Sequence, residues 1–159
     1  MSSNLTLLSC KLLFNIFTTP FYNFFGNIGG GGSTLSLVVC MMIFGKSKRM
    51  KQLGALSVVP GIFGINEMVI FGFPIVLNPI IIIPFILTPL VNVIIGYFAT
   101  AAGLMPHTLG IPIPWTTPIF FSGWLATGNF LGALWQLIFL VTGIIIYYPF
   151  FKVLDDKYF

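Results

Sequence analysis

From Gln52 to Phe151 the chain carries no Lys, Arg or Asp, and the only formally charged side chain between those two residues is Glu67. A stretch this apolar cannot present the polar surface that a water-soluble domain needs, so its solvent is the bilayer. The rest of the composition agrees: charged residues make up 6% of the chain, against about a quarter in soluble domains, and the mean hydropathy is +1.04. An ionisable residue at mid-membrane costs roughly 2.5–3.5 kcal/mol on insertion scales and is seldom kept without a task. Glu67 is therefore the first candidate for a functional group.

The formal charge of +4 does not point to nucleic acid. Four of the seven basic residues stand together in Lys46-Ser47-Lys48-Arg49-Met50-Lys51, with no aromatic side chain among them. That pattern reads as a cytoplasmic loop obeying the positive-inside rule. Cys10 and Cys40 lie far apart in apolar sequence with no metal-ligand spacing, and are read as small packing residues. No metal or cofactor is expected. The first residues lack the positive charge of a removable targeting signal.

Along the chain, residues 5–25 form an apolar segment interrupted by Lys11, Asn15 and Pro20, expected to be broken or interfacial. The run 35–44 is too short to cross alone and reads as a re-entrant hairpin or half helix. Residues 53–65 and 68–77 are two more interrupted pieces flanking the polar pair Asn66-Glu67, as a membrane-embedded binding loop requires. Residues 79–104 form the first confident crossing, kinked at Pro84 and Pro89, and 130–150 the second. Tyr147 and Tyr148 suit an interface belt. The polar tail 152–157 shares a side with the basic cluster if two crossings separate them. Residues 105–129 then connect the crossings on the outer side and dip back inward.

Several motifs have competing readings. Gly45-Lys46-Ser47 resembles the end of a phosphate-binding loop, but Cys40 stands where that loop needs glycine. The four glycines Gly29 to Gly32 serve close helix packing or bring backbone near a ligand, and packing is the commoner use. His107, beside Pro106, reads as a surface or interface residue. Trp115, within Pro114-Trp115-Thr116-Thr117-Pro118, is either an interfacial tryptophan or an aromatic face for a sugar ring with hydroxyls beside it. Glu67 is either a protonated packing residue or a functional carboxylate. With no cation in the flanking sequence, burial would raise its pKa and suit it to take a proton from a hydroxyl.

Taken together, Asn27-Ile28-Gly29-Gly30-Gly31-Gly32-Ser33-Thr34-Leu35, Ile65-Asn66-Glu67, Ile70-Phe71-Gly72-Phe73-Pro74-Ile75-Val76-Leu77-Asn78-Pro79, Pro114-Trp115-Thr116-Thr117-Pro118 and Tyr147-Tyr148-Pro149-Phe150 resemble one family. It is the enzyme IIC permease of the lactose, cellobiose and chitobiose class of the phosphoenolpyruvate-dependent sugar phosphotransferase system. The resemblance covers roughly residues 24–159. It implies an all-α membrane fold of transmembrane helices and re-entrant hairpins, in a single partial transport domain spanning 1–159. It further implies a bacterial plasma-membrane location and inward movement of a disaccharide, whose 6-hydroxyl receives phosphate from a cysteine-phosphorylated IIB partner supplied by IIA. In that scheme Glu67 binds the reacting hydroxyl and acts as its base, Asn66 stands beside it, and Trp115 is a sugar platform.

The chain departs from the family pattern in two ways. Met68 replaces the proline that usually follows the Asn-Glu pair. Family members are over twice as long, and their N-terminal half carries the dimer interface and a Gly-Ile-His-Gly histidine that this sequence lacks. The chain is read as the C-terminal transport-domain portion, working with a separate N-terminal half. The alternatives are a membrane remnant without transport, or a small proton-conducting protein using Glu67 alone.

Overall fold

The computed structural model describes residues 7, 8, 10, 11, 16, 18–73 and 75–158. Much of the expected broken segment 5–25, and Pro74, lie outside them. Among the described residues every regular element is helical. After a short turn at Thr19–Phe21 and a π-turn at Tyr22–Gly26 come α1 (Thr34–Phe44), α2 (Lys48–Ile62), α3 (Glu67–Gly72), α4 (Pro79–Ala101), α5 (Phe121–Thr127) and α6 (Phe130–Tyr158).

Among the described residues two helices are long and apolar enough to span a bilayer: α4, with mean hydropathy 2.3, and α6, with 2.1 over Phe130–Lys157. In α4, Pro79 occupies the first turn, where its missing N–H costs nothing, and Asn78 Oδ1 accepts from the Ile80 amide at 3.1 Å to start the helix. α1 is the half helix anticipated from its length. Eleven residues rise about 16 Å, close to half of the hydrocarbon thickness.

The basic loop at 45–47 forms the tip of an α1–α2 helical hairpin. Ser47 caps α2 by accepting from the Arg49 amide at 3.3 Å. The same loop is tied to the end of α6: the Lys46 amide donates to Asp155 Oδ2 at 3.0 Å and Lys46 Nζ meets Asp156 Oδ1 at 2.5 Å. Basic cluster and acidic tail thus lie at one end of the bundle, with two crossings between them. The Asp156 carboxylate also holds the Lys46 ammonium above its usual range. The polar tail continues α6 to Tyr158, and its aspartates have partners on the hairpin tip.

α2 enters from the basic end and α3 turns back toward it, making the expected re-entrant pair. From the far end of α4, residues 102–120 run without regular structure before α5 dips inward and α6 returns. One core joins Leu37, Val38 and Met41 of α1 with Val69, Ile81, Tyr147 and Phe151. A second joins Phe21, Phe25 and Ile28 with Ala99, Ala126 and Phe139.

Two expectations are corrected here. Tyr147 is not interfacial: it is fully buried and donates its hydroxyl to the Gly32 carbonyl at 2.6 Å, whereas Tyr148 is exposed. Cys40 packs as expected, but Cys10 is exposed.

Candidate functional site

The segment 26–34 is a loop whose carbonyls are taken up by side-chain donors. Ser33 Oγ bonds the Gly26 carbonyl (2.7 Å), Thr34 Oγ1 that of Gly29 (3.0 Å), Asn66 Nδ2 that of Gly31 (3.0 Å) and Tyr147 Oη that of Gly32 (2.6 Å). Glycine is required for geometry at Gly30 and Gly32, which have φ of +104° and +77°. A Cβ on Gly32 would sit 2.3 Å from the Phe85 ring, and one on Gly30 2.7 Å from Asn66 Cγ. The glycines therefore pack closely and also leave a wall free of side chains.

Residues 61–66 lie against that wall. Asn66 immediately precedes α3 but makes no side-chain cap, and its Nδ2 donates to the Gly31 carbonyl. Glu67 is the first residue of α3, where a carboxylate faces the positive end of the helix. It is exposed within this chain where burial was expected, and no ion pair to it occurs among the described residues. Met68, in place of proline, is exposed and leaves the α3 turn intact.

The connection 114–122 closes the other side. Its Ile119 amide donates to the Ile62 carbonyl at 3.0 Å, fastening it to the end of α2. Between these segments lies a cavity of about 230 Å³. The glycine loop contributes Asn27 to Gly31, the preceding turn Asn23 and Phe24, the α2 end Gly64, the connection Trp115, Thr117 and Ile119, and α5 and α6 Ser122 and Gln136. Several polar groups converge there, the usual mark of a small-molecule site. A larger groove of about 660 Å³ near Arg49, Leu56, Phe73 and Leu77 has mainly apolar walls and includes none of the candidate site residues.

Of the predicted site residues, Trp115 lines the cavity and is 65% exposed, so its ring is free to stack. Asn66 stands behind the Gly31 wall. Glu67 follows it, adjacent to the wall without lining the cavity. His107 is exposed and outside it. Asn23, Asn27, Thr117, Ser122 and Gln136 were not singled out from sequence. For Gln136 a signal existed, since it is the lone amide side chain in the apolar run 130–150.

The family model described as "Phosphotransferase system, EIIC" matches residues 3–89, more than half of the chain. The chain belongs to the EIIC family of the phosphotransferase system. The EIIC chain is 51% identical over 143 residues to the Bacillus subtilis (strain 168) lichenan permease IIC component, covering 89% of this chain and 32% of that protein. It is 42% identical over 147 residues to a Staphylococcus aureus lactose-specific EIICB component, covering 89% of this chain and 25% of that one. The crystal structure of the transporter ChbC, the IIC component from the N,N'-diacetylchitobiose-specific phosphotransferase system, superposes with a TM-score of 0.85. It shares 47% identity, with 88% of this chain and 33% of that chain covered. The EIIC chain thus spans between a quarter and a third of the length of these relatives.

The four carbonyl anchors make the glycine loop sensitive to single atoms. Tyr147→Phe is expected to destabilise the EIIC chain by about 1–3 kcal/mol, because the buried Gly32 carbonyl loses its partner. The thermal midpoint in detergent measures this, and an unchanged midpoint would show that the bond contributes nothing.

Proposed function

We propose that this chain is the sugar-handling portion of a IIC permease that moves a disaccharide such as cellobiose, lactose or chitobiose across the bacterial plasma membrane while IIB phosphorylates it. Glu67 takes the proton of the reacting hydroxyl, Asn66 holds its loop against the glycine wall, and Trp115 offers the stacking face. The observation that carries this reading is the cavity shared by the two opposed re-entrant segments, with an exposed tryptophan and hydroxyl and amide groups around it. Such an arrangement suits a sugar, whose rings have apolar faces and hydroxyl edges.

The names of the relatives, covering lichenan, lactose and N,N'-diacetylchitobiose, support a β-linked sugar as substrate, and the EIICB relative supports IIB as partner. At about 230 Å³ the cavity is smaller than the roughly 300–1,000 Å³ of complete ligand pockets. That supports a reading in which an N-terminal IIC half supplies further walls. Phosphate reaches the site from IIA through IIB.

Titration of the membrane-embedded protein with cellobiose, lactose and chitobiose, followed by tryptophan fluorescence, tests the site. At least one sugar is expected to give saturable quenching that disappears in Trp115→Phe, with Trp124 and Trp135 as the unresponsive background. A response that persists in Trp115→Phe would remove Trp115 from the site.

A further inference from the structure

Gln136 lies within the spanning helix α6, is 1% exposed, and has every hydrogen-bonding position of its amide occupied. Its Oε1 accepts from the Phe120 amide at 2.8 Å and the Gly123 amide at 3.1 Å. Its Nε2 donates to the Phe24 carbonyl and to Ser122 Oγ, both at 2.9 Å. The network fixes the orientation of the amide, since two N–H groups meet one end and a carbonyl meets the other. A glutamine with all four positions filled has nothing left for a ligand. Its effect on the cavity is exerted through the groups it holds.

Those groups belong to opposite walls. Phe24 belongs to the turn that leads into the glycine loop, whereas Phe120, Ser122 and Gly123 form the start of α5, next to the Trp115 connection. α5 has no side-chain cap of its own, and Phe120 stands at φ +83°, ψ −55°, a conformation that a residue with a Cβ keeps only when its surroundings enforce it. Gln136 supplies the enforcement by capping α5 from another helix. The approach depends on glycine, because a Cβ on Gly123 would lie 2.6 Å from Gln136 Oε1.

We propose that Gln136 is a positioning residue that fixes the separation between the glycine-loop wall and the Trp115 wall, and so sets sugar affinity. The link to sugar rests on the permease reading; the clamp itself does not. Two variants of the membrane-embedded protein test it: Gln136→Met, which keeps the volume and removes every bond, and Gln136→Glu, which keeps the acceptor oxygen and replaces the two N–H donors with at most one O–H.

In Gln136→Met, hydrogen exchange in a peptide covering 118–126 is expected to accelerate about tenfold or more, with peptides from 137–147 unchanged. Cellobiose affinity is expected to fall by about tenfold or more, while phosphorylation at saturating sugar stays within about threefold of wild type. Gln136→Glu restores protection at 118–126 and recovers part of the affinity. Unchanged exchange at 118–126 overturns the clamp, and so does an equal increase across all peptides, which marks general destabilisation. If the wild-type protein binds none of the sugars, the permease reading fails, and the exchange contrast alone still decides whether Gln136 holds the walls.

Discussion

Glu67→Gln is expected to lower the rate of sugar phosphorylation by about 10²–10⁴-fold, the usual contribution of a positioned general base, while changing sugar affinity by less than about tenfold. The substitution keeps the size of the side chain and its ability to bond a hydroxyl, and removes only its ability to take a proton. In the proposed reaction the sugar's 6-oxygen bonds to phosphorus as the sulfur–phosphorus bond of the IIB phosphocysteine breaks. The thiolate leaves, and the hydroxyl proton passes to Glu67. Little covalent work falls to the protein in such a transfer, so the holding of the nucleophile accounts for much of the rate.

Glu67 stands beside the cavity without lining it. It starts α3 directly after Asn66, whose side chain is anchored to Gly31, so a fixed backbone carries the carboxylate. The measurement is transfer from phosphorylated IIB to labelled cellobiose in membranes that also contain the complementary IIC half. A variant that phosphorylates at the wild-type rate would end the assignment of Glu67 as base. The expected split is the reverse of that for Gln136→Met, where affinity changes and turnover does not.

The architecture was legible where a single physical constraint dominated. Lipid demands long apolar helices, so both crossings could be read from residues 79–104 and 130–150, and the glycine and proline breaks marked the re-entrant pieces. The particular contacts that tie the tail to the basic loop could not be read, because Lys46 is distant in sequence and is brought to Asp155 and Asp156 only by the packed bundle. Tyr147 was misjudged for a related reason. Aromatic residues near the end of a span usually mark the interface, and only the tertiary structure reveals that a glycine carbonyl lies within reach of its hydroxyl. In the site, Trp115 could be found because its prolines and hydroxyls form a local motif. Gln136, by contrast, acts across α6, α5 and the 22–26 turn, and no local pattern encodes that convergence. The exposure of Glu67 was illegible too, since an apolar sequence suggests burial and cannot tell a lipid-facing position from one beside a cavity.

Adjacent glycines in the loop are expected to respond to the same substitution in opposite ways. At Gly30 the backbone has φ +104°, and an added methyl group would sit 2.7 Å from Asn66 Cγ and 2.9 Å from its Nδ2. Gly30→Ala therefore brings backbone strain of about 1–3 kcal/mol. It also pushes aside the side chain whose bond to Gly31 seats the residue before Glu67. At Gly31 φ is not positive, and the nearest atom to an added Cβ is Asn66 Nδ2 at 3.9 Å, an ordinary contact. Gly31→Ala is expected to stay within about 0.5 kcal/mol of the wild type. Thermal midpoints in detergent compare the stabilities, and IIB-dependent phosphorylation compares the sites. Gly30→Ala should lose both stability and phosphorylation, whereas Gly31→Ala should keep stability, and any loss of sugar affinity there would report a ligand touching the wall directly. Equal losses in the two variants would mean that the loop needs glycine for flexibility alone, and that the Asn66 contact does not seat Glu67.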